Sequence, residues 1–245
     1  MKKKIIVTGA SGFVGFHIIN YLISKKYSNV IGISRSRSSN KKNFITADLT
    51  SAECINIIKN CEVLINCAYD DSDYKNNFTI TNNLINASQY KNIKTIIHIS
   101  TAVVSGLKGR HDINENTPNN PDNLYQKTKL KIENKLKENL DSNIKLLILR
   151  PTMIIGKNSN NLDFIINKYK KKAIHNLIAF LVLKMRNTNF ISINNITDIV
   201  YNMIKFPDNF KYTNYILSQD DDLNNNYAIN SENHYYSTNN SIDFT

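Results

Sequence analysis

The chain has 245 residues, of which 41% are hydrophobic, and a formal net charge of +11. That length and apolar content suffice for one large domain, or one domain with a small satellite, and scarce Gly and Pro exclude a low-complexity chain. The charge suits an anionic partner, either phosphorylated small molecules or nucleic acid, and Asn- and Lys-rich usage from genome composition accounts for it equally well. No nucleic-acid motif is present. The longest apolar run, LIAFLVL at 177–183, is too short to span a bilayer, so no stable membrane insertion is expected. The start, MKKKIIVTGASGFVG, mimics a signal peptide, but its apolar run stops at once in glycines and small residues. A cytoplasmic location is expected. The three cysteines, Cys54, Cys61 and Cys67, form no C-x-x-C pair and read as reduced, buried thiols; no metal site is expected.

In chain order, the periodicity predicts a strand at 5–8 (IIVT), a helix at 13–26, a strand at 29–34 (NVIGIS), a brief strand at 44–49 (FITADL) and a helix at 51–60. A strand at 63–66 (VLIN), a helix at 76–90, a strand at 95–100 (TIIHIS), a helix at 122–139 and a strand at 145–150 (KLLILR) follow. Apolar strands alternating with helices predict an α/β fold, a doubly wound, Rossmann-like parallel sheet covered on both faces. Past Gly156 the rhythm weakens to a helix near 161–173, a strand near 189–193, a helix near 195–205 and a strand at 213–218. The expected division is a dinucleotide-binding domain at 1–157 and a small, shortened C-terminal substrate lobe at 158–245. Part of 189–205 should return to the core, and the polar stretch after 219 should be poorly ordered.

TGASGFVG at 8–15 joins the first strand to the first helix. Gly9 allows the tight turn, Gly12 lets a pyrophosphate approach the main chain, and Gly15 packs helix on strand. The free N–H groups of the helix start, around Ser11, Phe13 and Val14, would meet the phosphates. The end of the second strand reports the cofactor. Ser34, Arg35 and Arg37 stand where an acid would read a bare ribose, so NADP(H) is preferred, with NAD(H) the alternative. Further on, NLYQKTKL at 123–130 places Tyr125 one helical turn before Lys129. A free tyrosine is a poor base at neutral pH, and an adjacent ammonium would stabilise its phenolate.

Taken as a set, TGASGFVG, Asp48-Leu49, INCA at 65–68, ISTAVVSG at 99–106, ENTPNNP at 115–121, YQKTK at 125–129 and LRPTMIIG at 149–156 resemble the extended short-chain dehydrogenase/reductases of the NAD-dependent epimerase/dehydratase family. The resemblance implies that Asp48 touches the adenine, beside Leu49, that Ala68 lines the cofactor groove, and that Pro151 and Thr152 border the nicotinamide. It implies a catalytic group of Thr101, Tyr125 and Lys129, with Asn77 near the nicotinamide side. Several positions depart from the family. Ala102 and Val103 follow Thr101 where 4,6-dehydratases carry acids, which argues against dehydration. Met153 replaces an asparagine that contacts substrate. Ser192, Asn194 and Asn195 replace a histidine and paired aspartates. Arg186 and Lys184 are candidates to meet a diphosphate by rough position only.

The function this implies is NADPH-dependent reduction of a 4-keto sugar nucleotide in surface polysaccharide synthesis. The alternatives are a nucleotide-sugar 4-epimerase and a non-catalytic NAD(P)-binding protein. The expected partner is a nucleotide-sugar substrate, and a homodimer is the assembly considered. The basic residues at 168–186 beside LIAFLVL also permit peripheral docking on a membrane.

Overall fold

A computed structural model describes residues 3–35, 43–106, 113–159 and 190–218. Its centre is a seven-stranded, wholly parallel sheet. The strands are β1 (Ile5–Thr8), β2 (Val30–Ser34), β3 (Phe44–Thr46), β4 (Val63–Asn66), β5 (Thr95–Ile99), β6 (Lys145–Pro151) and β9 (Asn214–Leu217), ordered β3-β2-β1-β4-β5-β6-β9. Two short strands, β7 (Met153–Ile155) and β8 (Phe190–Ser192), pair separately. The chain winds outward from β1 in one direction and then returns to wind in the other. The crevice between the ends of β1 and β4 is therefore the switch point at which such folds bind ligands.

Side chains alternate across the sheet. Ile97 and Ile99 face one layer, where helices α1 (Phe13–Ser24) and α5 (Ile193–Lys205) bury Ile18, Ile19, Leu22, Ile196, Val200 and Met203. Ile96 and Leu64 face the other layer, against Cys54 and Ile58 of α2 (Cys54–Ile58) and Ile80 and Leu84 of α3 (Tyr74–Ser88). Helix α4 (Leu124–Asn139) completes that layer by packing Ile132 and Leu136 against Ile85.

The strands and helices fall close to their predicted places, and the differences have local causes. The segment 44–49 stops being a strand at Thr46, because Asp48 turns the chain by accepting hydrogen bonds from Thr50 N and Oγ1 at 2.9 and 2.8 Å. Helix α3 begins two residues early because Asp73 caps it, accepting from Lys75 N at 2.9 Å. Helix α5 begins at Ile193 because the Ser192 hydroxyl caps Asn194 N at 3.1 Å. Strand β7 has no counterpart in the sequence reading; MII is too short to show a period. The predicted helix at 161–173, the basic and apolar segment at 168–186 with Lys184 and Arg186, the polar stretch after 219 and Arg37 all lie outside the described residues. Among the described residues, no helix is long and apolar enough to cross a membrane.

Candidate active site

At the switch point the chain can only be glycine. Gly9 has φ +64°, and a Cβ there would lie 2.6 Å from the backbone carbonyl carbon of Cys67, just past β4. A Cβ on Gly15 would lie 2.4 Å from Gly9 O. Helix α1 follows Gly12, which gives it no side-chain cap, and has no acid in its first turn. Helices α3, α4 and α5, by contrast, are capped by Asp73, Asn123 and Ser192. The turn thus presents main-chain N–H groups and a positive helix end beside a close-packed strand exit, which fits a dinucleotide pyrophosphate. Ser11 and Gly12 are exposed, and Phe13 and Val14 are half-buried.

A buried polar network fixes the strand ends behind this turn. Thr8 Oγ1 donates to Asn66 Oδ1 at 2.7 Å, and Asn66 Nδ2 contacts His98 Nδ1 at 3.1 Å. An amide nitrogen only donates, so Nδ1 of His98 is the acceptor. Burial, and secondarily the charge of Lys129, keep that imidazole neutral by holding its pKa well below the usual range. Asn66 Oδ1 also accepts from Ala68 N at 3.2 Å, which holds the chain at the exit of β4.

Thr101 follows β5, and Tyr125 and Lys129 lie one turn apart on α4. The structure brings the three together. The Thr101 hydroxyl lies close enough to the Tyr125 phenol to favour its ionised form, but burial is the larger influence and raises the phenol's pKa. Tyr69 stacks edge-on against Tyr125, with ring centroids 5.2 Å apart. Lys129 is only 6% exposed. Its Nζ donates to Ile99 O at 3.1 Å and lies 4.3 Å from the Tyr69 ring centroid, against 6.0 Å for Tyr125. Burial lowers its pKa to about 8, opposed by Cys67, Asp71 and Glu133. The ammonium therefore faces Tyr69 and a carbonyl, and burial, not the lysine, governs the phenol.

Beneath the group lies a feature the sequence reading missed. Glu133, one turn past Lys129, is fully buried and accepts from Arg150 Nε and Nη2 at 3.0 and 2.6 Å, and from the Ser100 hydroxyl. One carboxylate thus joins the ends of β5 and β6 to α4. The K-x-x-x-E spacing was the available signal.

Both polar atoms of the Asn77 amide hold Asp70: Oδ1 accepts from Asp70 N and Nδ2 donates to Asp70 O, each at 2.8 Å. Asn77 thereby braces the loop after β4. Asp48 is exposed. Hydrogen bonds from Thr50 hold its carboxyl below its usual pKa. Leu49 is buried in the core. Pro151 is buried at the end of β6, and Thr152 Oγ1 donates to Leu217 O at 3.1 Å, which ties it to β9. Met153 is half-buried on β7. Ser34 is buried at the end of β2. Arg35 forms an ion pair with Asp70, at 2.9 Å. Among the described residues there is no cluster of metal-binding side chains.

A glycine turn at the switch point of a parallel sheet, with a Thr–Tyr–Lys group beyond it, defines a dinucleotide-binding protein of the extended short-chain dehydrogenase/reductase type. The chain belongs to the NAD dependent epimerase/dehydratase family, whose profile matches residues 5–215. It is 29% identical over 193 residues to the Dictyostelium discoideum sterol-4-alpha-carboxylate 3-dehydrogenase, decarboxylating, covering 69% of this chain and 58% of that protein. It is 25% identical over 216 residues to the Escherichia coli O157:H7 N-acetyl-alpha-D-glucosaminyl-diphospho-ditrans,octacis-undecaprenol 4-epimerase, covering 76% of this chain and 64% of that protein. The chain therefore spans about three fifths of the length of these relatives. Among solved structures, Bordetella bronchiseptica WbmH in complex with NAD+ superposes with a TM-score of 0.68 at 17% identity, covering 88% of this chain and 75% of that one. At that identity the likeness concerns the fold.

Proposed function

We propose that the protein is an NAD(P)-dependent oxidoreductase of nucleotide sugars, acting most directly as a reductase of a 4-keto sugar nucleotide. The observation that carries this reading is the convergence of Thr101, Tyr125 and Lys129 at the strand ends beside the Gly9 turn. When bound, the nicotinamide would supply or accept hydride. Tyr125, kept protonated by burial, is suited to donate a proton to the carbonyl oxygen. Thr101 holds that oxygen beside the phenol, and Lys129 is placed to hold the ribose and to stabilise the phenolate left behind. Buried Ala102 and half-buried Val103 follow Thr101, so no acid stands there to expel a hydroxyl, which disfavours dehydration. The proposed compartment is the cytoplasm.

A second reading, a 4-epimerase, uses the same residues with a retained NAD. It is favoured by the engagement of Arg35 with Asp70, which opposes the NADP(H) preference that Ser34, Arg35 and Arg37 suggest in the sequence. The deciding experiment offers keto-sugar nucleotides with NADPH or NADH, and sugar nucleotides with catalytic NAD. Net cofactor oxidation supports the reductase. Epimer formation without net oxidation supports the second reading. In either case Tyr125→Phe should retain cofactor binding and reduce turnover by about two to four orders of magnitude. Near-normal turnover in that variant would reject both.

A further inference from the structure

The end of β2 carries Ser34 in place of the acid that reads an unphosphorylated ribose. A carboxylate nevertheless reaches this place from another element. Asp70, in the loop after β4, meets Arg35, the residue after β2, at 2.9 Å. Because β2 and β4 flank β1 in the sheet, the pair spans the end of β1, beside the Gly9 turn.

The two partners differ in freedom. The Arg35 side chain is 66% exposed, and that of Asp70 is 4%. Oδ1 of Asp70 accepts from Ser72 N, Ser72 Oγ and Asp73 N, and Oδ2 accepts from Asn76 Nδ2. Asn77 clamps the same residue through its backbone. The carboxylate is therefore built in, and the arginine is the movable member. Asp48 lies near enough for both Arg35 and Asp70 to act on its carboxyl. The adenosine end of the groove thus holds two carboxylates and one guanidinium among the described residues. A 2′-phosphate would bring further negative charge into that group.

We propose that Asp70 is a specificity-determining residue for the cofactor: it engages Arg35 and places a fixed negative charge at the 2′ position, disfavouring NADP(H) relative to NAD(H). The proposal rests on the dinucleotide site described above. The test is titration of NADH and NADPH by fluorescence into the full chain and its variants, with no substrate present. Asp70→Asn should raise NADPH affinity relative to NADH by about tenfold while NADH affinity stays within about threefold. An unchanged ratio, or equal loss of both, overturns the proposal. Arg35→Ala, at an exposed position that folding tolerates, leaves Asp70 bare and should lower NADPH affinity by about tenfold with NADH spared. Equal binding of both cofactors in that variant also overturns it. If wild-type protein binds neither cofactor, the dinucleotide reading itself fails, and the proposal with it.

Discussion

Lys129 is asked to be charged where charge is costly. Its depression from an ordinary 10.5 to about 8 disfavours the buried ammonium by about 3 kcal/mol. The sign follows from linkage. Between about pH 8 and about pH 10.5 the unfolded chain holds a proton that the folded chain has released, so this residue's contribution to stability rises with pH. The thiols of Cys54, Cys61 and Cys67, pushed by burial to about 11, about 12 and about 12, act in the opposite direction once the unfolded thiols ionise. The comparison is therefore with Lys129→Met. In urea unfolding at about pH 7 that variant should be more stable than wild type by up to about 3 kcal/mol, and the gap should narrow toward pH 10. NADH affinity should show the opposite trend. In wild type it should weaken above about pH 8 as the ammonium is lost, and in the variant it should be low throughout. A gap that does not change with pH would show that Lys129 is not shifted.

At the scale of elements, Glu133 and Arg150 show how a buried ion pair can be structural and positional together. Glu133→Gln leaves Arg150 charged and unmatched, which should cost about 3–5 kcal/mol. Replacing both, as Glu133→Leu with Arg150→Met, should recover most of that loss, since an apolar pair of similar volume fills the same space. The double variant should nevertheless turn over more slowly at unchanged NADH affinity, because Ser100, which precedes Thr101, loses its tie to α4. Equal loss of stability in single and double variants would contradict this. The pair also marks the limit of what the sequence discloses. Runs such as IIVT and VLIN announce buried strands, and TGASGFVG announces the turn, because each is a local pattern. Glu133, Arg150 and Ser100 meet only through the sheet order, and Asp70 meets Arg35 only because β2 and β4 flank β1. The hold of Asn77 on the Asp70 backbone was not legible either, since that needs the loop's course.

For the molecule as a whole, both halves of the winding meet at Gly9. Alanine there must take a left-handed backbone and overlap the Cys67 backbone at 2.6 Å, so β1 and β4 would have to part. Gly9→Ala should cost at least about 2 kcal/mol and remove NADH binding. Thermal unfolding beside an NADH titration checks it, and unchanged values in both would refute the close approach.

The strand order also carries a consequence for how the chain is made. Emerging from the ribosome, β2 and β3 extend one side of β1, and β4, β5 and β6 extend the other, each covering the edge left by the last. The order is interrupted at β6. Its apolar edge, KLLILRP, waits for β9, which does not begin until Asn214. At about 5–20 residues per second, that edge stays unpaired for about 3–12 s. Such an edge is a template for a neighbouring nascent chain, so losses during expression should fall on polysomes carrying chains that have passed Pro151 but have not yet made β9.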